Sequence, residues 1–310
     1  MSTQTNAVPE APLQSQVSAP AAISAAQLLV WSVRREFWEH RSLYVAPLAA
    51  TGLFLAGFLV GLTRLPGKMR AAMALDATHQ QAAIRQPYQF LELLLMGTML
   101  IVAVFYCIDA LHGERRDRSI LFWKSLPVSD VTTVLAKASI PLVILPLITV
   151  AITVVTQWLM LLLSSVVLLG IGGGVATLWR NLPMFQMSMG LLLHLLGVHG
   201  LWYAPFYGWL LLVSAWARRG AILWATVPLL AVGIVERIAF NTSYFATMLL
   251  YQFSGGPEGA AFIPNHMAMN PLEHVSLVKF VRSAGLWPGL AVTAVFLAAA
   301  IRLRRYREPM

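Results

Sequence analysis

Long uninterrupted apolar runs constrain this chain more than any other feature. Six of them read as membrane-crossing helices: Leu43 to Leu62, Phe90 to Leu111, Val131 to Leu163, Met187 to Trp216, Ala221 to Phe240 and Leu286 to Ile301. About 20 apolar residues in helical form cross a hydrocarbon core of about 30 Å. Only helices and closed barrels satisfy their backbone polar groups in such a layer, and runs that are continuous instead of alternating exclude a barrel. Composition agrees, because only 11% of the residues are charged where soluble domains carry about 25%. The expected fold is an all-α integral membrane protein with six transmembrane helices and both termini on one side.

Three regions divide the chain. Residues 1–25 hold no basic stretch followed by an apolar one, so they read as a disordered cytoplasmic tail, not a signal peptide. Residues 26–42 form an amphipathic interfacial helix: Val30, Val33 and Phe37 recur at helical spacing beside Trp31 and Trp38, with Ser32, Arg35, Glu36 and Glu39 opposite. Residues 43–305 hold the six spans, with a charged loop at 112–130 and an outer segment at 241–285. A net charge of +9 would suggest nucleic acid in a soluble protein. Here the basic residues mark the cytoplasmic ends of spans: with the first terminus inside, fourteen of the 22 Lys and Arg residues fall on the inner side. Cys107 is the only cysteine, which excludes an intramolecular disulfide.

Spans three and four exceed what a membrane needs, so tilt or kinks at Pro141, Pro146 and Pro205 are expected. The tract Gly170-Ile-Gly-Gly-Gly174 between them reads as a flexible turn. In the outer segment, Asn270-Pro271-Leu272-Glu273 is a helix start, with Leu272, Val275 and Val278 on one face.

The loop at 112–130 carries six charges between Glu114 and Lys124, followed by Pro127. A surface helix from about Gly113 to Ser125 is expected, with Glu114 and Arg118 spaced for an ion pair and Pro127 ending it. Phe122-Trp123 beside Ile120 and Leu121 is too apolar for water, so it must enter lipid headgroups or a protein groove. Glu114-Arg115, this polar-to-apolar helix, Leu126-Pro127-Val128-Ser129 and then Val134-Leu135-Ala136-Lys137 resemble the connection between spans two and three of ABC-2 type permeases, the membrane subunits of ABC transporters. The chain departs from that pattern with Asp117-Arg118-Ser119 where Gly-Thr is usual and with Ala136 for a Gly. The resemblance extends over nearly the whole chain in architecture: an elbow helix, six spans, a coupling helix after span two and a folded external segment before span six.

That resemblance implies a partner list. Two membrane subunits pair, as a homodimer or a paralogous heterodimer, in a bacterial inner membrane. Each coupling helix sits in a groove of a separate nucleotide-binding ATPase subunit that carries the ATP and Mg, leaving no cofactor in this chain. Membrane lipids are partners and nucleic acid is not. Glu114, Arg115, Arg116, Asp117, Arg118, Phe122, Trp123 and Lys124 would then transmit ATPase motion, and none would be catalytic. The nearest approach to a phosphate-binding loop, Gly61 to Gly67-Lys68-Met69, has one residue too many and Met in place of the hydroxyl. The implied function is ATP-driven export of an amphiphilic or hydrophobic compound (peptide, antibiotic or lipid) by alternating access. The alternatives are a signalling or scaffold membrane subunit that carries no substrate, and an intramembrane enzyme, which would need convergent polar groups at the midplane.

Charged residues within spans are functional candidates because lipid exposure is costly. Asp109 lies near the inner end of span two, Glu236 and Arg237 near the outer end of span five, and Glu92 at the outer start of span two. His194 and His199 are five residues apart, which on an α-helix turns them about 140° from each other and argues against a shared metal. Trp158, Trp202, Tyr203, Phe206, Tyr207 and Trp209 suit an aromatic interface belt.

Overall fold

The structure, a computed structural model, describes residues 24–117, 128–170, 174–254, 280–283 and 285–306. Among these residues every regular element is helical. In chain order they are α1 (Ala25–Glu39), α2 (Ser42–Leu62), α3 (Leu65–Met73), α4 (Ala77–Ala110), α5 (His112–Arg116), α6 (Asp130–Ser139), α7 (Leu145–Gly170), α8 (Val175–Asn181), α9 (Met184–His194), α10 (Ala204–Trp216), α11 (Ala221–Phe240), α12 (Tyr244–Phe253) and α13 (Leu286–Tyr306). Wider π-turns occupy Ile140–Ile144, joining α6 to α7, and Leu195–Trp202, following α9.

Six helical stretches are long and apolar enough to cross a membrane: Ser42–Leu62, Ala77–Arg116, Asp130–Gly170, Val175–Trp202, Ala221–Phe240 and Leu286–Tyr306. They make this a multi-pass membrane protein. The short apolar Ala204–Trp216 continues the fourth, so the run expected from Met187 to Trp216 is one interrupted crossing. Prolines account for the interruptions. Pro146 has no N–H to offer Leu142, and the ladder instead re-forms one residue wider, from Leu145 N–H to Ile140 O. Pro205 stands in the first turn of α10, after the break at Tyr203.

The two ends of the bundle differ. At 34 residues α4 is about 51 Å long, about 20 Å more than the hydrocarbon layer requires. Its excess, with α3, the last turns of α7, α8 and the start of α9, closes around Met69, Ile84, Tyr88, Leu161, Leu168 and Met184 as a core of its own. This lobe, at the end of the bundle away from α1, comes from residues expected to form a loop and overlong spans. Gly174 opens α8 with φ +93°, a left-handed conformation that explains a glycine there. Of the outer segment, α12 is described; the helix expected from Asn270 lies outside the described residues, as do residues 1–23 of the expected tail and residues 171–173 of the glycine tract.

At the opposite end α1 lies against α6 and turns its polar side inward. Ser32 and Glu36 are buried while Val30, Trp31 and Trp38 face outward. A capping box starts the helix, Ser24 and Gln27 exchanging side-chain-to-backbone hydrogen bonds of 3.2 and 3.1 Å. Arg34, Arg41, Arg116, Arg218, Arg219, Arg302 and Arg305 are exposed at this end, and Arg64, Lys68, Arg70, Arg180 and Arg237 are exposed at the other. The aromatic belt is corrected in part, since Trp202 and Tyr207 are 1% exposed core side chains.

Candidate functional site

Residues on either side of segment 118–127, Glu114 before it and Asp130 and Lys137 after it, meet in one buried ionic cluster. Lys137, the last basic residue of α6, donates through Nζ to Glu36 Oε1 at 2.8 Å and stands 3.1 Å from Glu114 Oε1. Arg304, near the end of α13, reaches Glu114 Oε2 at 3.1 Å and Asp130 Oδ1 at 3.3 Å. Arg35 closes the circuit on Glu36 at 2.6 Å and Glu114 at 3.4 Å. Tyr106 of α4 donates its hydroxyl to Glu36 Oε2 at 3.0 Å. Glu36, Lys137, Glu114 and Arg304 have side chains no more than 4% exposed.

Local sequence sets this geometry. Ser129 caps α6 by accepting from Thr132 N–H at 3.1 Å. Asp130 and Lys137 are seven residues apart and so share one face, which is turned to α1 and α13. At the end of α4, the N–H groups of Leu111 and His112 donate to Ser214 Oγ of α10 at 3.0 and 2.9 Å, where the helix breaks into α5. Arg115 donates to the carbonyls of Ala215 and Ala217 at 2.7 and 3.4 Å, satisfying the open end of α10. The α4–α5 corner is thus bolted to the end of α10 and, through Glu114, to α1, α6 and α13.

Electrostatics fix Glu36 as an anion. Burial pushes its carboxyl upward, but the charge and hydrogen bond of Lys137, joined by Arg35, outweigh burial and hold it at about 2 against an ordinary 4.5.

Of the residues read as transmitting ATPase motion, Glu114 and Arg115 form the buried half of this cluster, while Arg116 and Asp117 are exposed and paired with each other at 3.1 Å. The expected partner of Glu114, Arg118, lies outside the described residues, as do Phe122, Trp123 and Lys124. Asp109 is half exposed and 3.9 Å from Arg116. Glu236 serves as a cap: its carboxylate accepts from Thr242 Oγ1 at 2.8 Å and from the N–H groups of Tyr244 and Phe245 at 2.7 and 2.9 Å, at the start of α12. Arg237 reaches Asn241 O at 3.5 Å.

Two features escaped the sequence reading. His194 and His199 are brought together, ring centroids 5.3 Å apart, because the π-turn places residues five apart one above the other. Glu92 is buried instead of facing the outer interface, and accepts from Gln157 Nε2 at 2.7 Å. Lys137 within the head of an apolar segment was the sequence signal for a buried anion nearby. Nothing local identifies Glu36 as that anion.

The fold and the cluster define a class: a multi-pass helical membrane protein with a buried ionic cluster at one end of its bundle. Comparison with protein-family models, curated proteins and solved structures gave no match.

Proposed function

We propose that this chain is the membrane subunit of an ATP-driven transporter, in which segment 118–127 docks a separate nucleotide-binding ATPase at the cytoplasmic face. The observation that carries the reading is the ionic cluster. Both ends of the segment are tied by it to α1, α10 and α13, so a partner pulling on the segment loads three other helices at once. Buried charge pairs are stiff connectors, because separating them strands an ion in a dry interior at a cost of about 3–5 kcal/mol.

The count along the sequence, fourteen of the 22 Lys and Arg residues on this side, supports its cytoplasmic placement through the positive-inside rule. The broad apolar exterior of α11 and α13 offers room for a second membrane subunit as well as lipid. An amphiphilic or hydrophobic cargo suits a bundle whose interior is largely apolar. The chain performs no ATP hydrolysis itself in this account, since it lacks a phosphate-binding loop.

Purification in mild detergent from native membranes tests the reading. A stoichiometric ATPase accompanying the wild type, and lost on replacing Phe122 and Trp123 by Ala, supports it. Recovery of the chain alone with no ATPase activity counts against it.

A further inference from the structure

Where α4 meets α7, just inside the lobe away from α1, polar side chains are buried that neither helix needs for its own backbone. Arg85, Tyr88 and Glu92 share the buried face of α4, spaced three and four residues apart. Gln157 faces them from α7, fully buried. Its Nε2 donates to Glu92 Oε1 at 2.7 Å, and its Oε1 has no hydrogen-bond partner among the described residues.

Counting donors shows what is missing. An ionised carboxylate only accepts, whereas a primary amide offers two N–H donors and one accepting oxygen. With Glu92 ionised, the amide oxygen lies in a dry seam beside a group that has nothing to donate. A proton on Glu92 supplies that donor. Acid and amide then form two complementary bonds, the carboxyl C=O accepting from Nε2 and the carboxyl O–H donating to Oε1.

We propose that Glu92 and Gln157 form a proton-binding site in which the proton rests on Glu92 and is held by Gln157 Oε1, exchanging with the outer side. Position favours that side: Glu92 is 18 residues from Ala110, about 27 Å along α4 and close to the outer limit of the hydrocarbon layer. The charged surroundings are few. Arg85 lies two turns nearer the lobe, its Nε donating to Asn181 O at 2.9 Å, and stabilises the deprotonated form. Tyr88 lies between them. Neither α7 nor the adjacent part of α2 carries an ionisable side chain, and Lys68, Arg70 and Arg180 on α3 and α8 are exposed. Proton gain leaves the Glu92–Gln157 pair neutral beside one cation; proton loss leaves Glu92 paired in charge with Arg85.

Infrared spectroscopy of the full chain in lipid nanodiscs reads the site directly. At neutral pH the wild type should show the carbonyl stretch of a protonated carboxylic acid, shifting down in D2O and lost in Glu92→Gln. In Gln157→Leu the same band should move or vanish, since its hydrogen-bond partner is gone. No such band in the wild type, a band that persists in Glu92→Gln, or one unchanged in Gln157→Leu overturns the proposal. Should Glu92→Gln fail to accumulate, the wild-type and Gln157→Leu spectra decide by themselves. The readout involves neither ATPase nor cargo, so this site and the transport reading fail or stand independently.

Discussion

Lys137 is the residue on which the ionic cluster depends. It is 1% exposed and contacts two carboxylates supplied by different helices, Glu36 of α1 and Glu114 of α5. Replacing it by Met keeps the apolar stem but leaves two buried anions sharing Arg35 and Arg304. A loss of about 3–5 kcal/mol is expected, visible as a large drop in thermal midpoint in detergent; a Lys137→Met protein as stable as the wild type would show that the cluster contributes little. Acid should act on the same place. Because the carboxyl of Glu36 is held at about 2, below its unfolded value of 4.5, its contribution is complete above pH 4.5. It fades as pH falls toward 2, the unfolded chain binding the proton first. The contribution is on the order of 3 kcal/mol, and Glu36→Gln should flatten this part of the pH–stability curve.

At the scale of helices, the paired π-turns are the most demanding feature. Pro146 leaves Leu142 O without its usual donor, and Gly200 of the facing π-turn comes so close that a Cβ there would lie 2.6 Å from that oxygen. The atom in the way is backbone, so Gly200→Ala must push two spans apart, at about 1–3 kcal/mol. Gly197→Ala, whose Cβ would make ordinary 3.7 Å contact with the Phe280 ring, is the control and should leave the thermal midpoint nearly unchanged. The sequence announced these irregularities through Pro141, Pro146 and Pro205 but not their form. Prolines say where a hydrogen-bond ladder breaks, whereas whether it re-forms as a kink or a wider turn depends on the opposing helix. The angle between His194 and His199 was misjudged for this reason, since it assumed an unbroken α-helix. Helix α1 was legible from its periodicity, but its orientation was not. Amphipathicity alone does not say that a buried Lys awaits the polar face.

For the molecule as a whole, crossing number was legible because it follows from hydrocarbon thickness. The lobe at the end away from α1 was not, because its helices continue the spans without any polar boundary to mark where lipid ends. Nor was the ionic cluster, whose members come from residues 35 to 304 and meet only in three dimensions. With Glu114 and Arg115 turned inward, Arg116 and Asp117 are the described residues of the proposed docking region that stay exposed. Cysteine chemistry can test that surface without further engineering, as Cys107 is the only thiol and is fully buried. The decisive measurement is short-range thiol cross-linking in native membranes of Asp117→Cys, compared with Ser243→Cys at the opposite end of the bundle. The account predicts that Asp117→Cys captures a nucleotide-binding ATPase and Ser243→Cys does not; capture of no such protein at position 117, or equal capture from both ends, would contradict it.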